Sequence, residues 1–122
     1  MEKSILIVED DADFAHMLQN RLSGLGYLVA ARGDAAVTAK DVAAAEPDLI
    51  VLDLLLQGGN GLTVLERLRA NAATKDIPVI ILTGLGDDEV REQALRMGAT
   101  AFIEKPFGSE QLAEEIEHAL AA

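Results

Sequence analysis

Five short runs of apolar residues are the feature that most constrains how this chain can fold. They cover residues 4–8, 27–31, 48–53, 77–83 and 101–103. A run such as 48–53, bounded by turn-forming residues, is typical of a strand buried on both faces of a parallel sheet, and all five runs are predicted to be strands. Segments with apolar residues at helical spacing separate them. The alternation predicts an α/β protein, a doubly wound parallel sheet of five strands with five helices on its two faces.

The predicted helices have recognisable starts and stops. Asp11 is placed to cap the first helix, and glycines at 24 and 26 end it. An alanine-rich second helix is predicted to open at Gly33-Asp34 and to end before Pro47. The third carries a leucine stripe and runs to about residue 71, the fourth stops at Gly98, and the last starts at Ser109.

Composition excludes several classes of function. The 122 residues suit one domain, predicted over residues 1–122, and half of them are hydrophobic, enough for a core. A net charge of −11 repels phosphate backbones and anionic membranes, so direct contact with nucleic acid or membrane is not expected. The chain has no cysteine, residues 1–5 lack the long apolar region of a signal peptide, and no apolar run approaches the ~20 residues of a membrane span. These features predict a cytoplasmic protein.

Polar residues follow four of the five predicted strands. Glu9 and Asp10 follow the first, Asp53 closes the third, Thr83 closes the fourth and Lys105 follows the fifth. In a doubly wound sheet of order 2-1-3-4-5, the first and third strands are neighbours at the switch point, where such folds bind ligands. The three carboxylates, the hydroxyl and the ammonium are therefore predicted to share one crevice.

This set of groups suits phosphoryl transfer. Three close carboxylates repel one another, and a hard divalent cation with oxygen ligands removes the conflict, so Mg²⁺, or Mn²⁺ in its place, is predicted. Lys105 and the metal could neutralise an incoming phosphoryl group, to which Thr83 could donate a hydrogen bond. Asp53 could act as the nucleophile, because aspartyl phosphates are established covalent intermediates.

In these residues the chain resembles the receiver domain of two-component response regulators, the CheY-like family with a flavodoxin-like fold. The resemblance covers nearly the whole chain. Its motifs are residues 5–11, Leu52-Asp53 followed by Asn60-Gly61, residues 78–84, and Gly98-Ala99 through Lys105-Pro106-Phe107.

The resemblance implies a role for each site residue. Asp53 matches the phosphoacceptor, which would take its phosphoryl group from a histidine kinase or a histidine phosphotransfer protein. Asp10 matches the direct Mg²⁺ ligand, Glu9 the water-mediated ligand, and the backbone carbonyl of Leu55 a third protein ligand. Lys105 matches the phosphate-binding lysine. Such a protein would catalyse only its own phosphorylation and autodephosphorylation, and would not be a turnover enzyme.

The resemblance also implies a conformational switch. Thr83 matches the switch hydroxyl and Phe102 the switch aromatic, which together would alter a surface made by the fourth helix, fifth strand and fifth helix. An effector protein would bind that surface. The Lys105-Pro106 peptide would be cis, a form found almost only before proline.

Several positions depart from the family pattern. The switch aromatic is Phe102 rather than tyrosine, so it can pack but cannot donate a hydrogen bond. Thr100 and Ala101 replace the acidic pair typical of receivers that dimerise through their last helices, so a monomer or weak dimer is expected. Leu55 and Leu85 flank the phosphosite, and as apolar residues they are predicted to hinder water and slow autodephosphorylation.

Other interpretations stay open. Taken singly, Glu9 and Asp10 could be solvated loop acids and Lys105 a surface lysine. The chain could be a protein-binding scaffold whose phosphorylation is irrelevant, or a small phosphatase-like hydrolase, although Leu55 stands where a haloacid-dehalogenase-type enzyme needs its general acid. Met1 just before the first strand favours a natural start, but the chain could also be the receiver of a longer regulator or hybrid kinase.

Overall fold

A computed structural model describes residues 2–33, 36–56, 59–84 and 86–121 of the protein. Strands and helices alternate along these residues. The elements are β1 (Ser4–Val8), α1 (Ala12–Gly24), β2 (Leu28–Arg32), α2 (Ala39–Ala45), β3 (Leu49–Leu52), β4 (Leu55–Leu56), β5 (Gly59–Asn60), α3 (Gly61–Ala70), β6 (Val79–Thr83), α4 (Asp88–Arg96), β7 (Ala101–Glu104) and α5 (Ser109–Ala121).

Five strands form one parallel sheet in the order β2-β1-β3-β6-β7. Because β4 and β5 form a separate antiparallel pair, this is the predicted order 2-1-3-4-5 of the five long strands. The predicted fold class is therefore confirmed. The sequence did not predict the short β4–β5 pair, which lies in the segment between Asp53 and α3.

Side-chain alternation along the strands divides the core into two layers. Leu6, Val8, Ile50, Leu52, Val79 and Ile81 point to the side covered by α2, α3 and α4. Their neighbours Ile5, Ile7, Leu49, Val51, Ile80 and Leu82 point to the side covered by α1 and α5. Successive strand residues face opposite sides, so both faces need apolar side chains. That is why these strands read as unbroken apolar runs.

The predicted start of the second helix was wrong. The helix begins at Ala39, not at Gly33-Asp34, and Asp34 lies outside the described residues. Its start is determined by a capping box: the Thr38 hydroxyl accepts from the Asp41 N–H at 3.1 Å, and the Asp41 carboxylate accepts from the Thr38 N–H at 3.0 Å. These reciprocal bonds satisfy two N–H groups that a helix end leaves unpaired.

The other predicted helix boundaries agree closely with the structure. Asp11 caps α1, and its side chain accepts from the Phe14 N–H at 3.1 Å. Gly98, which follows α4, has a φ of +102°, a left-handed conformation that glycine adopts without a steric penalty. No helix among the described residues is long and apolar enough to span a membrane.

Candidate functional site

The carboxyl ends of the strands bring the predicted site residues together. Backbone hydrogen bonds continue past the ends of the strands: the Asp53 N–H donates to the Val8 carbonyl at 3.0 Å, and the Lys105 N–H donates to the Thr83 carbonyl at 2.8 Å. Asp53 and Lys105, which follow β3 and β7, are therefore fixed by backbone hydrogen bonds to the neighbouring strands. Their side chains lie at the same edge of the sheet.

Lys105 joins two buried carboxylates. Its Nζ lies 2.9 Å from Oε2 of Glu9 and 3.1 Å from Oδ2 of Asp53. Glu9 and Asp53 are each 5% exposed, whereas the Lys105 side chain is 23% exposed. A buried carboxylate is stable only when it is paired and hydrogen-bonded, and one ammonium here serves both.

Each carboxylate has a further hydrogen bond. Oδ1 of Asp53 accepts from the Leu55 N–H at 3.1 Å, and Oε1 of Glu9 accepts from the Asp11 N–H at 3.2 Å. The fully buried hydroxyl of Thr83 is also hydrogen-bonded to Asp53. Asp53 is thus contacted by an ammonium, a hydroxyl and a backbone amide, a donor set suited to an oxygen that carries negative charge.

These surroundings shift the pKa values of Glu9 and Asp53 in opposite directions. Burial raises the pKa of the Glu9 carboxyl to about 7, and the neighbouring charge of Asp53 adds to the rise. Burial would also raise the pKa of Asp53, but hydrogen bonds, first that from Thr83, outweigh it and lower that pKa below its usual value. The pKa of Lys105 is raised, because the two carboxylates outweigh the effect of burial. Asp53 is therefore the more acidic member of the pair.

The acidic cluster fits a hard divalent cation. Glu9, Asp10 and Asp53 can each present a carboxylate oxygen such that these atoms lie within 4.8 Å of one another. Asp10 is exposed, so the cluster opens to solvent on that side. Oxygen ligands with room for water are the environment that Mg²⁺ prefers. The Leu55 carbonyl stays a predicted ligand, although the Leu55 N–H contact places this residue beside Asp53.

The predicted switch residues lie on one side of the sheet. In the β6–β7 register Phe102 pairs with Ile81 and Glu104 with Thr83, so Thr83 and Phe102 face the α4 side. Phe102 is half-buried against the core cluster of that side. The Lys105-Pro106 peptide is cis. Of the two predicted hydrolysis residues, Leu55 is 55% exposed and Leu85 lies outside the described residues.

Two residues matter at this site although the sequence analysis gave them no role of their own. Gly61, the first residue of α3, lies against the backbone of Asp53 and Leu54 so closely that a Cβ would overlap with both. Its only sequence signal was its place in the Asn60-Gly61 motif. Phe14 lies in the apolar stripe of α1, and its ring centroid is 4.0 Å from the Nζ of Lys105.

Comparison with known proteins agrees with this geometry. Residues 5–117 match the model of the response regulator receiver domain family. The chain belongs to that family: it is a receiver domain of response regulators, the proteins of two-component signalling.

Individual relatives support the assignment. The chain is 37% identical over 117 residues to the phosphate regulon transcriptional regulatory protein PhoB of Klebsiella pneumoniae, covering 96% of this chain and 51% of PhoB. It thus spans about half the length of the curated relatives it matches. A solved structure from Chloroflexus aurantiacus superimposes over the full length of both chains with a TM-score of 0.93 and 31% identity. The BeF3-activated receiver domain of Klebsiella pneumoniae RstA superimposes with a TM-score of 0.88 and 26% identity, covering 98% of this chain and 100% of that one.

Proposed function

We propose that the chain is a phosphoacceptor, taking a phosphoryl group on Asp53 from the phosphohistidine of a histidine kinase or phosphotransfer protein. One observation carries this proposal. The Lys105 ammonium bridges Asp53 and Glu9 at the same buried point where the Thr83 hydroxyl meets Asp53. A carboxylate surrounded by donors at a strand end can accept an anionic group without leaving its charge unpaired.

In the proposed step, a carboxylate oxygen of Asp53 attacks phosphorus and the bond from phosphorus to the donor imidazole nitrogen breaks. The imidazole leaves with that electron pair, and the product is an aspartyl phosphate. The Nζ of Lys105, 3.1 Å from Oδ2, is placed to shift from the carboxylate to a phosphoryl oxygen. Mg²⁺ held by Glu9, Asp10 and Asp53 would supply further positive charge opposite the phosphoryl oxygens. The protein thereby promotes its own phosphorylation and its own hydrolysis and turns over no separate substrate.

Phosphorylation is proposed to act through a shift between two conformations. The phosphoryl group would bind the Thr83 hydroxyl, and Phe102 would repack beside it on the same face of the sheet. The altered surface, formed by α4, β7 and α5, exposes charged residues for an effector protein, Arg91 and Glu104 among them. A Thr83→Ala variant would then still be phosphorylated but would lose the phosphorylation-dependent gain in effector binding.

The first test is intact mass spectrometry after incubation with acetyl phosphate, with and without Mg²⁺. We expect one Mg²⁺-dependent phosphoryl adduct on the wild type and none on Asp53→Asn. Asp76→Asn is the matched control and should label like the wild type, because Asp76 is an exposed acid that precedes the amino end of β6, whereas the site lies at the carboxyl ends of the strands. Absence of an adduct on the wild type, under conditions that label another receiver, would disprove the proposal.

A protein-binding scaffold that ignores phosphorylation is the alternative. The test is the affinity of an effector for wild type, phosphorylated wild type and Asp53→Asn. Equal affinities would favour the scaffold, whereas tighter binding of the phosphorylated form alone would exclude it.

A further inference from the structure

An aromatic pair lies beside the ammonium of Lys105. The Nζ is 4.0 Å from the centroid of the Phe14 ring, which is the distance of a cation–π contact. The Phe14 ring is itself in an edge-to-face contact with Phe107, with centroids 6.1 Å apart and planes at 82°. Phe14 lies in the first turn of α1, and Phe107 follows Lys105 by two residues. The contact between the two rings therefore links α1 to the segment that carries the lysine.

The ring is held from its other side by the core. Both Phe14 and Phe107 are partly buried and pack against the cluster that contains Leu18 of α1 and Ile103 of β7. Contacts with the core and with Phe107 therefore position the ring in addition to its contact with Lys105. A lysine side chain is long and flexible, and it loses rotamer freedom when it is confined. A fixed aromatic face supplies a place for the ammonium without using any of its three N–H donors.

We propose that Phe14 is a positioning residue for the phosphoryl-transfer chemistry: its ring holds the Lys105 ammonium at the mouth of the acidic site, where it bridges Glu9 and Asp53 and can follow the incoming phosphoryl group. The inference rests on the proposed phosphoacceptor function. Phe14 does not touch the reacting atoms. It acts through Lys105, by restricting the positions that the ammonium can take beside the two carboxylates.

An aromatic face is needed here, and apolar bulk is not enough. Leucine would keep most of the apolar bulk in the cluster but lacks the π-face whose negative electrostatic potential attracts a cation. It would also leave the ammonium against a surface that neither attracts it nor replaces its water. A Phe14→Tyr variant keeps the aromatic face at a position that is only partly buried.

The experiment measures the rate of Mg²⁺-dependent labelling by acetyl phosphate, so that docking of a protein donor plays no part. We expect Phe14→Leu to label roughly 3- to 30-fold more slowly than wild type, the range that corresponds to a cation–π contact. Phe14→Tyr should label within about twofold of wild type. Tyr27→Leu is the matched control, because Tyr27 is another partly buried aromatic residue packed on the same cluster. It should lower the melting temperature and leave the labelling rate unchanged.

Two further measurements separate positioning from a general structural effect. In a Lys105→Met background, Phe14→Leu should cause no further loss of rate, because the partner of the ring is already absent. The ε-methylene protons of Lys105 should be shifted upfield in the NMR spectra of wild type and Phe14→Tyr, and should return to ordinary values in Phe14→Leu.

Each other outcome overturns the inference. A wild-type rate in Phe14→Leu would leave the phosphoacceptor function standing and remove the role of Phe14. An equal loss in Tyr27→Leu, or a further loss in the Lys105→Met background, would show that the ring acts through stability alone. If the wild type does not label, the proposed function fails first and the positioning role fails with it.

Discussion

Gly61 lies directly against the backbone of Asp53. A Cβ built on Gly61 would overlap with the Asp53 carbonyl oxygen and would stand 2.7 Å from the Cα of Leu54. The Gly61 N–H also donates to the Leu54 carbonyl at 3.0 Å, which ties the first residue of α3 to the end of β3. The helix thus starts in contact with the proposed phosphoacceptor, and this contact requires a residue without a side chain.

We therefore expect Gly61→Ala to be destabilising, although alanine is the better helix former. The added methyl group must push α3 away from the end of β3, and overpacking of this kind costs about 1–3 kcal/mol. The measurement is urea unfolding followed by circular dichroism. Gly24→Ala is the control, because a Cβ at Gly24, the last residue of α1, would meet nothing within 4 Å. The midpoint of urea unfolding of Gly24→Ala should equal that of the wild type or lie slightly above it.

Removal of the Lys105 ammonium should make the stability of the fold more dependent on Mg²⁺. Lys105→Met leaves Glu9 and Asp53 buried with no cation between them, and we expect a loss of about 1–3 kcal/mol, less than for a fully buried pair because the ammonium is partly exposed. Added Mg²⁺ should restore most of this stability, so the Mg²⁺-induced rise in melting temperature should be larger for the variant than for the wild type.

Lys75→Met removes an exposed lysine that precedes the amino end of β6, away from the carboxyl ends that form the site, and should leave the response to Mg²⁺ unchanged. If Lys105→Met gains no more from Mg²⁺ than the wild type does, then the ammonium and the metal do not serve the same carboxylates, and the metal assignment is wrong.

The exposed side chain of Leu55 should slow hydrolysis of the aspartyl phosphate. Its N–H contacts Asp53, while its apolar side chain offers no hydrogen bond to an attacking water. We expect Leu55→Gln to hydrolyse the phosphoryl group several-fold faster, because an amide can orient that water. Loss of the phosphoryl adduct is followed by mass spectrometry after the donor is removed.

Leu28→Gln is the matched control for that experiment. Leu28 is 56% exposed, against 55% for Leu55, but it lies on the edge strand β2 and not beside Asp53. It should leave the phosphoryl lifetime unchanged. Equal lifetimes of Leu55→Gln and wild type would show that access of water is not controlled from this position.

The capping box of α2 should give the protein a measurable acid dependence. Hydrogen bonds from the backbone and side chain of Thr38 lower the pKa of Asp41 in the folded chain. A lowered pKa means that this contribution to stability is present above the unfolded value of about 3.9 and is lost as the pH falls through the folded pKa. Asp41→Asn should therefore be less stable than wild type at pH 6, and the difference should shrink towards pH 3.

Urea unfolding at a series of pH values measures this difference. In a Thr38→Ala background the charge of Asp41 loses its hydroxyl partner, so Asp41→Asn should cost less there than in the wild type. A difference between Asp41→Asn and wild type that stays constant from pH 6 to pH 3 would exclude the capping box as its source.

Most of the fold could be predicted because it depends on local periodicity. Buried parallel strands are apolar on both faces, as in 49–52 and 79–82, and helices show apolar residues at a spacing of three and four. Where local signals competed, the prediction failed. Glycine and aspartate often precede helices, so Gly33-Asp34 was predicted as the start of the second helix. The structure instead begins α2 at the capping box that Thr38 and Asp41 form.

The strand order was predicted from the doubly wound class and the resemblance to receiver domains. The sequence by itself determined the alternation of strands and helices and which polar residues lie at the carboxyl ends of the strands. It could do so because each of these follows from the pattern of neighbouring residues. Only the tertiary structure decided which atoms meet: Lys105 with Glu9, 96 positions apart, and the Phe14 ring with the same ammonium. Such contacts depend on how the strands and helices pack against one another. The distance between two side chains that packing brings together cannot be read from their separation in the sequence.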